Sequence, residues 1–184
     1  RGTNSYDQWG TLILFPEDAP AAIPYVTEEN QVIKDVAEWQ KYVKVPDLTG
    51  KCSEGWEEAL EAKSKIDQDK YLTMVVMGTG IFEQLHMLMT FEDTLMNFLL
   101  EPEAMHELID VICEYRLTYM KLVVEHLHPD CIVSHDDWGA KDSLFMSPEV
   151  WREFFKEPYR KLYDYLHSQG VIVMHHADSY LEPV

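Results

Sequence analysis

Three short, mainly apolar runs punctuate the chain from residue 72 onward: Leu72-Thr-Met-Val-Val-Met77, Cys131-Ile-Val-Ser134 and Val171-Ile-Val-Met174. None alternates apolar with polar residues, so none reads as a strand with one face in water. Such runs predict parallel strands covered on both faces. Between them the spacing changes. From Pro102 to Leu127, apolar residues fall at 105, 108, 109, 112, 119, 120, 123, 124 and 127, close to the 3.6-residue period of an amphipathic helix. Pro102 suits the first turn, and Glu103 complements the positive end of the helix dipole. Ile81 to Leu100 predicts helix in two pieces, broken near Thr90. Ser147-Pro-Glu149 predicts another helix start, with serine as cap and proline at the first helical position. Trp151, Phe154, Phe155, Leu162, Tyr163 and Leu166 supply that helix's apolar face. Pro158 should kink it and Gly170 should end it. The order strand, helices, strand, helix, strand predicts an α/β fold around a parallel sheet.

The first 70 residues are less regular. Thr11 to Phe15 is a plausible strand, and Pro16, Pro20 and Pro24 mark an irregular loop after it. Val32 to Val43 suggests a short helix stopped before Pro46, and Trp56 to Asp67 an amphipathic one. No internal repeat or low-complexity segment is present. One domain is expected, with residues 1–70 as an N-terminal extension and first helices and residues 71–184 as β/α units.

Charge narrows the partners. The 184 residues carry a formal net charge of −18, which is repelled by phosphate backbones and anionic membranes, so neither nucleic acid nor membrane is expected as a partner. No run approaches the roughly 18 apolar residues of a membrane span. No charged-then-apolar leader opens the chain, although it starts at Arg1. Cys52, Cys113 and Cys131 are odd in number and lack C-x-x-C spacing, which fits reduced thiols and a cytoplasmic location.

Each apolar run ends in unusual chemistry. The first leads into Gly78-Thr-Gly-Ile-Phe-Glu83, with His86 one turn beyond Glu83. The second leads into His135-Asp-Asp-Trp-Gly139, and the third into His175-His-Ala-Asp178. In α/β barrels the active site lies at the carboxyl ends of the strands, so parallel neighbours would bring the three clusters onto one rim. Asp136 and Asp137 offer acid/base or substrate-binding carboxylates, although one of them would equally serve as an Asx turn or helix cap. His176 and Asp178, two apart, suit a metal pair or a histidine oriented by a carboxylate. His175 points to the opposite side of an extended strand, into either the pocket or the wall. Glu83 and His86 suit a pocket lining or a helix-surface pair. Trp138 would line the pocket or pack, and Gly78-Thr-Gly80 reads as a tight turn.

Several stretches resemble the uroporphyrinogen-decarboxylase superfamily: Gly80-Ile-Phe-Glu-Gln-Leu-His86, His135-Asp-Asp-Trp-Gly139, Ser147-Pro-Glu-Val-Trp-Arg152 with the following Phe-Phe and Pro158, His167-Ser-Gln-Gly170, and Val171–Met174 with His176-Ala-Asp178. Trp9-Gly10 also fits. The resemblance implies a (β/α)8 TIM barrel, of which this chain looks like the N-terminal half. It also implies an enzyme, closer to the corrinoid-linked methyltransferase branch than to the decarboxylases. That branch carries a zinc-binding His-x-Cys motif where this chain has His176-Ala-Asp178. Zinc held by His176 and Asp178, a corrinoid on a partner protein and a small-molecule substrate are therefore expected. The expected catalytic residues are Asp136, Asp137 and His176, with Glu83, His86, Trp138 and His175 around the substrate. Porphyrinogen decarboxylation is the alternative; against it, Arg116, Arg152 and Arg160 fall inside predicted helices. A non-catalytic protein that binds a corrinoid or small molecule at the barrel mouth is a third reading.

Overall fold

The computed structural model describes residues 1–48 and 53–184; Cys52 lies outside the described residues. The chain opens with a small antiparallel sheet in the order β1 (Thr3–Tyr6), β2 (Leu12–Phe15), β3 (Ile23–Pro24). Only β2 carries an apolar signal. β1 reads Thr-Asn-Ser-Tyr and is exposed throughout, so it pairs through its backbone without a hydrophobic face to betray it. Asp7 shapes the β1–β2 turn by accepting hydrogen bonds from the N–H groups of Trp9 (2.9 Å) and Thr11 (2.8 Å). The helix expected over 32–43 is a short 3-10 stretch, Val36–Lys41, kinked at Glu38, capped by Asp35 and anchored by buried Val36 and Trp39. Helix α1 covers Ser53–Ser64.

From residue 74 the chain follows the predicted order: β4 (Met74–Met77), α2 (Ile81–Leu88), α3 (Phe91–Leu100), α4 (Pro102–Leu127), β5 (Cys131–His135), α5 (Pro148–Phe154), α6 (Lys156–Ser168) and β6 (Ile172–His176). The break between α2 and α3 falls at Thr90, whose hydroxyl accepts from the Asp93 N–H at 3.1 Å. Pro158 does not kink a continuous helix. The chain breaks three residues earlier, at Phe155, because proline leaves the carbonyl four residues back without a donor and clashes with it. Gly170, at φ +73°, follows α6 in the left-handed region that glycine adopts without penalty.

Strands β4, β5 and β6 form a parallel sheet in that order, and register sets Met77 beside Ser134 beside His175, and His135 beside His176. Asp130 ties the starts of β4 and β5, accepting from both the N–H and the hydroxyl of Thr73 at 2.7 Å. Alternation divides the sheet into two faces. Met77, Ile132 and Ser134 are buried on the helix side, against a core that includes Phe82, Leu85, Ile109, Ile112, Phe155 and Leu162. On the other face, Met74, Val76, Ile172 and Met174 are each more than half exposed. The expectation of strands covered on both faces therefore holds for central β5 only; no described element packs on the second face of β4 or β6. The described residues form an open three-stranded parallel sheet backed by helices, not a closed barrel. No helix among them is long and apolar enough to cross a membrane.

Candidate functional site

The open face ends in a cluster of titratable groups. His135 is the last residue of β5, and its register partner is His176, the last of β6. Their rings lie 4.8 Å apart, tilted by 44°. Asp137, two residues beyond His135, brings a carboxylate oxygen 3.5 Å from His135 Nε2. One donor atom from each of His135, Asp137 and His176 falls within 4.8 Å of the others. The same Asp137 oxygen accepts the N–H of Asp178 at 2.8 Å, which ties the ends of β5 and β6 together. The Asp178 carboxylate itself stands outside, 85% exposed and 3.9 Å from His176 Nε2. His135, Asp137 and His176 are thus placed so that they could hold a metal ion, and Asp178 touches the group through its backbone N–H. His135 belongs to the motif that drew attention to the strand ends. It was not among the residues expected in the site, although its spacing of two from Asp137 on an extended segment is a signal that the two share a face.

Glu83 backs the cluster. Its carboxylate lies 3.1 Å from His135 Nδ1 and accepts the Gly80 N–H at 3.0 Å, reaching back over the first turn of α2. Burial raises its pKa above the ordinary carboxylate value, with the Gly80 hydrogen bond opposing and the Asp136 charge adding to the shift.

Asp136 occupies a different position from its neighbour. It is fully buried and faces the helix layer. Its carboxylate accepts from the N–H of Phe82 (3.0 Å), the N–H of Glu83 (2.9 Å), the indole of Trp138 (2.8 Å) and the hydroxyl of Tyr159. Two of these donors are free N–H groups of the first turn of α2, the positive end of the helix dipole. Tyr159 in turn accepts the Ile81 N–H at 3.1 Å, and burial, then the Asp136 charge, raises its pKa well above the usual phenol range. Gly80 permits this arrangement, since a Cβ there would sit 2.0 Å from Asp136 Cγ. Asp136 therefore holds the α2 N-terminus, and through it Glu83, while Asp137 faces the cluster. Tyr159 was not singled out from the sequence, and Gly80 was read only as part of a tight turn and a family stretch, because their contacts with Asp136 span 23 and 56 residues.

The remaining candidates sit behind or beside the cluster. Trp138 is buried, stacked on His175 at 4.1 Å and packed on Tyr159 and Trp151. His175 bonds the Tyr163 hydroxyl through Nδ1 at 2.7 Å, its Nε2 is buried without a partner, and burial lowers its pKa. Both thus belong to the wall on the helix side. His86 packs edge-on to Phe82 and Phe91, and burial lowers its pKa against the opposing charges of Asp136 and Asp137. Arg116, buried on α4, donates to the carbonyls of Gly78 and Thr79 and to the Ser134 hydroxyl. It fixes the turn between β4 and α2, where Thr79 adopts a positive φ of 52°. A cavity of about 910 Å³ lies on that side too, lined by Trp9, Gln84, Tyr115 and Arg116 among others; none of the cluster residues lines it.

The cluster's donors suit a transition metal. Zinc–nitrogen and zinc–oxygen bonds of about 2.0–2.2 Å place tetrahedral ligands roughly 3.4 Å apart, and His135 and Asp137 already stand at 3.5 Å. Two imidazoles and one carboxylate favour zinc or a neighbouring first-row ion over magnesium or calcium. If all three held a metal, they would leave one tetrahedral position open.

Comparison with known proteins agrees with this architecture. The family described as uroporphyrinogen decarboxylase (URO-D) matches residues 8–182. Among solved structures, a methyltransferase from Methanosarcina mazei superposes with a TM-score of 0.60 at 17% sequence identity, covering 96% of this chain. The chain spans 49% of that protein's length. No curated protein matches the chain.

Proposed function

Because the chain belongs to the uroporphyrinogen decarboxylase family, we propose that it serves an enzyme that moves a methyl group between a corrinoid carrier and a small molecule, at a metal-assisted site on the strand ends. The observation that carries the reading is the convergence of His135, Asp137 and His176 on the open face of the sheet. His135 and His176 offer imidazole nitrogens and Asp137 a negative oxygen, so the three would hold zinc. When bound there, zinc supplies Lewis acidity that lowers the pKa of a thiol or water toward neutrality. Asp178 steadies Asp137 through its N–H. Asp136, with every donor around it engaged, keeps the floor of the site rigid. Trp138 and His175 pack behind it, and the partly exposed His86 and Phe91 offer an aromatic flank to substrate. The likeness to a methyltransferase favours the same chemistry.

Decarboxylation of a porphyrinogen fits less well. A polycarboxylate needs cations, and three of this chain's four arginines are committed elsewhere: Arg116 to backbone carbonyls, Arg152 to the Pro183 carbonyl and Arg160 to Glu157. The test is demethylation of methylcobalamin in the presence of a small thiol, followed by the loss of its absorbance. Turnover is expected from the wild-type protein and a fall of at least about 100-fold in His176→Ala and Asp137→Ala, the scale on which metal-assisted sites lose rate. Equal turnover in both variants would sink the reading, and turnover of uroporphyrinogen in metal-free buffer would replace it with the decarboxylase.

A further inference from the structure

Glu83 has two partners, and they divide its work. The Gly80 N–H uses it as a helix cap; the His135 ring uses it from the side away from the cluster. Imidazole has one proton to share between two nitrogens when neutral, and the hydrogen bond at one nitrogen decides the state of the other. A carboxylate oxygen at 3.1 Å from Nδ1 draws the proton there. Nε2 is then left with its lone pair, and Nε2 is the atom that stands 3.5 Å from the Asp137 carboxylate. With the proton on Nε2 instead, the ring would present a donor to Asp137 and could ligate nothing in the cluster.

We infer that Glu83 is a positioning residue: it fixes His135 as the Nδ1–H tautomer and so makes Nε2 a ready-formed ligand in the His135–Asp137–His176 cluster. The support extends further back. Asp136 accepts the N–H of Glu83 itself and that of Phe82, and Gly80 lets Asp136 approach. With the Ile81 N–H held by the Tyr159 hydroxyl as well, the turn that carries Glu83 is pinned at three points, and little room is left for the carboxylate to leave His135. A ligating histidine oriented by a carboxylate through its other nitrogen gains basicity and geometry, and loss of such a partner weakens metal affinity about 10–100-fold. The inference rests on the metal-assisted reading for its functional consequence, but the tautomer is a property of the metal-free protein.

The test uses Glu83→Ala and Glu83→Gln beside wild type. Glutamine keeps an acceptor for Nδ1–H and remains competent in the cap; alanine removes both. Long-range 1H–15N correlation of the His135 ring in metal-free protein at neutral to mildly alkaline pH should show protonated Nδ1 in wild type and in Glu83→Gln. Glu83→Ala should show a mixture of tautomers. Cobalt(II) titrations should place the affinity of Glu83→Ala about 10–100-fold below wild type, with Glu83→Gln in between. Loss of the cap alone would lower the unfolding midpoint of Glu83→Ala without moving the tautomer, and that result overturns the inference. So does an Nε2–H tautomer in wild type. If no variant and no wild type binds cobalt while the tautomer responds as stated, Glu83 keeps its role and the metal reading fails.

Discussion

Asp136→Asn separates the two adjacent carboxylates most sharply. One oxygen of Asp136 accepts three hydrogen bonds, from Phe82, Trp138 and Tyr159; the other accepts one, from Glu83. The asparagine NH2 would settle where only one donor opposes it, and would leave the Glu83 N–H orphaned at about 1–3 kcal/mol. The other three bonds fall from charged to neutral acceptor, losing roughly 1 kcal/mol each. A buried amide is cheaper to desolvate than a buried carboxylate, which returns part of this. The balance is a loss of about 2–4 kcal/mol, or roughly 4–16 °C in melting temperature for a domain of this size. Urea unfolding reads it as a lower midpoint at an unchanged slope. Asp137→Asn, half-exposed and on the cluster side, should stay within about 0.5 kcal/mol of wild type. Gly80→Ala disturbs the same contact from the helix side and should destabilise by at least about 2 kcal/mol, since neither Asp136 nor the pinned turn can yield cheaply. An Asp136→Asn protein as stable as Asp137→Asn would refute the assignment of Asp136 to the scaffold.

Other consequences concern pH and the open sheet face. His86 and His175 are held below the ordinary histidine value by burial, so below about pH 6.5 the unfolded chain binds more protons than the native one and stability falls with pH. Glu83, raised above its ordinary value, acts in the opposite sense, taking up its proton first in the native state and restoring some stability at lower pH. His86→Phe should therefore flatten the decline in urea midpoint between about pH 6.5 and 5.5; an unchanged slope would count against the buried neutral His86. On the open face, Val76→Thr with Met174→Thr should cost little stability, because both side chains are more than half exposed. The pair should still reduce binding of a hydrophobic dye, and undiminished dye binding would mean that the apolar surface lies elsewhere.

Much of the fold was legible because local signals agreed with it. The Pro102–Leu127 helix combined a clean apolar period with proline and glutamate at its start, Ser147 acted as the cap its position suggested, and the expected break near Thr90 fell there, with Thr90 capping α3. The polar β1 strand and the break at Phe155 were not, the first because its pairing is all backbone and the second because proline acts on the turn before it. In the site, strand parity brought His135, Asp137 and His176 to one face and sent Asp136 and His175 to the other, which sequence alone cannot fix before the register is known. The metal pair expected at His176 and Asp178 followed motif spacing along one strand. The structure also brings donor atoms of His135, Asp137 and His176, from the ends of two neighbouring strands, within 4.8 Å of one another. Glu83's hold on His135 spans 52 residues and has no local signature.

The central claim, that His135, Asp137 and His176 form the metal centre, is tested most directly by elemental analysis of zinc in the wild-type protein beside His135→Ala, Asp137→Ala, His176→Ala and Asp178→Ala. The account predicts near-stoichiometric zinc in wild type, its loss in the first three variants and its retention in Asp178→Ala. Retention in His135→Ala with loss in Asp178→Ala would contradict it and return the site to the two ends of the His176-Ala-Asp178 motif.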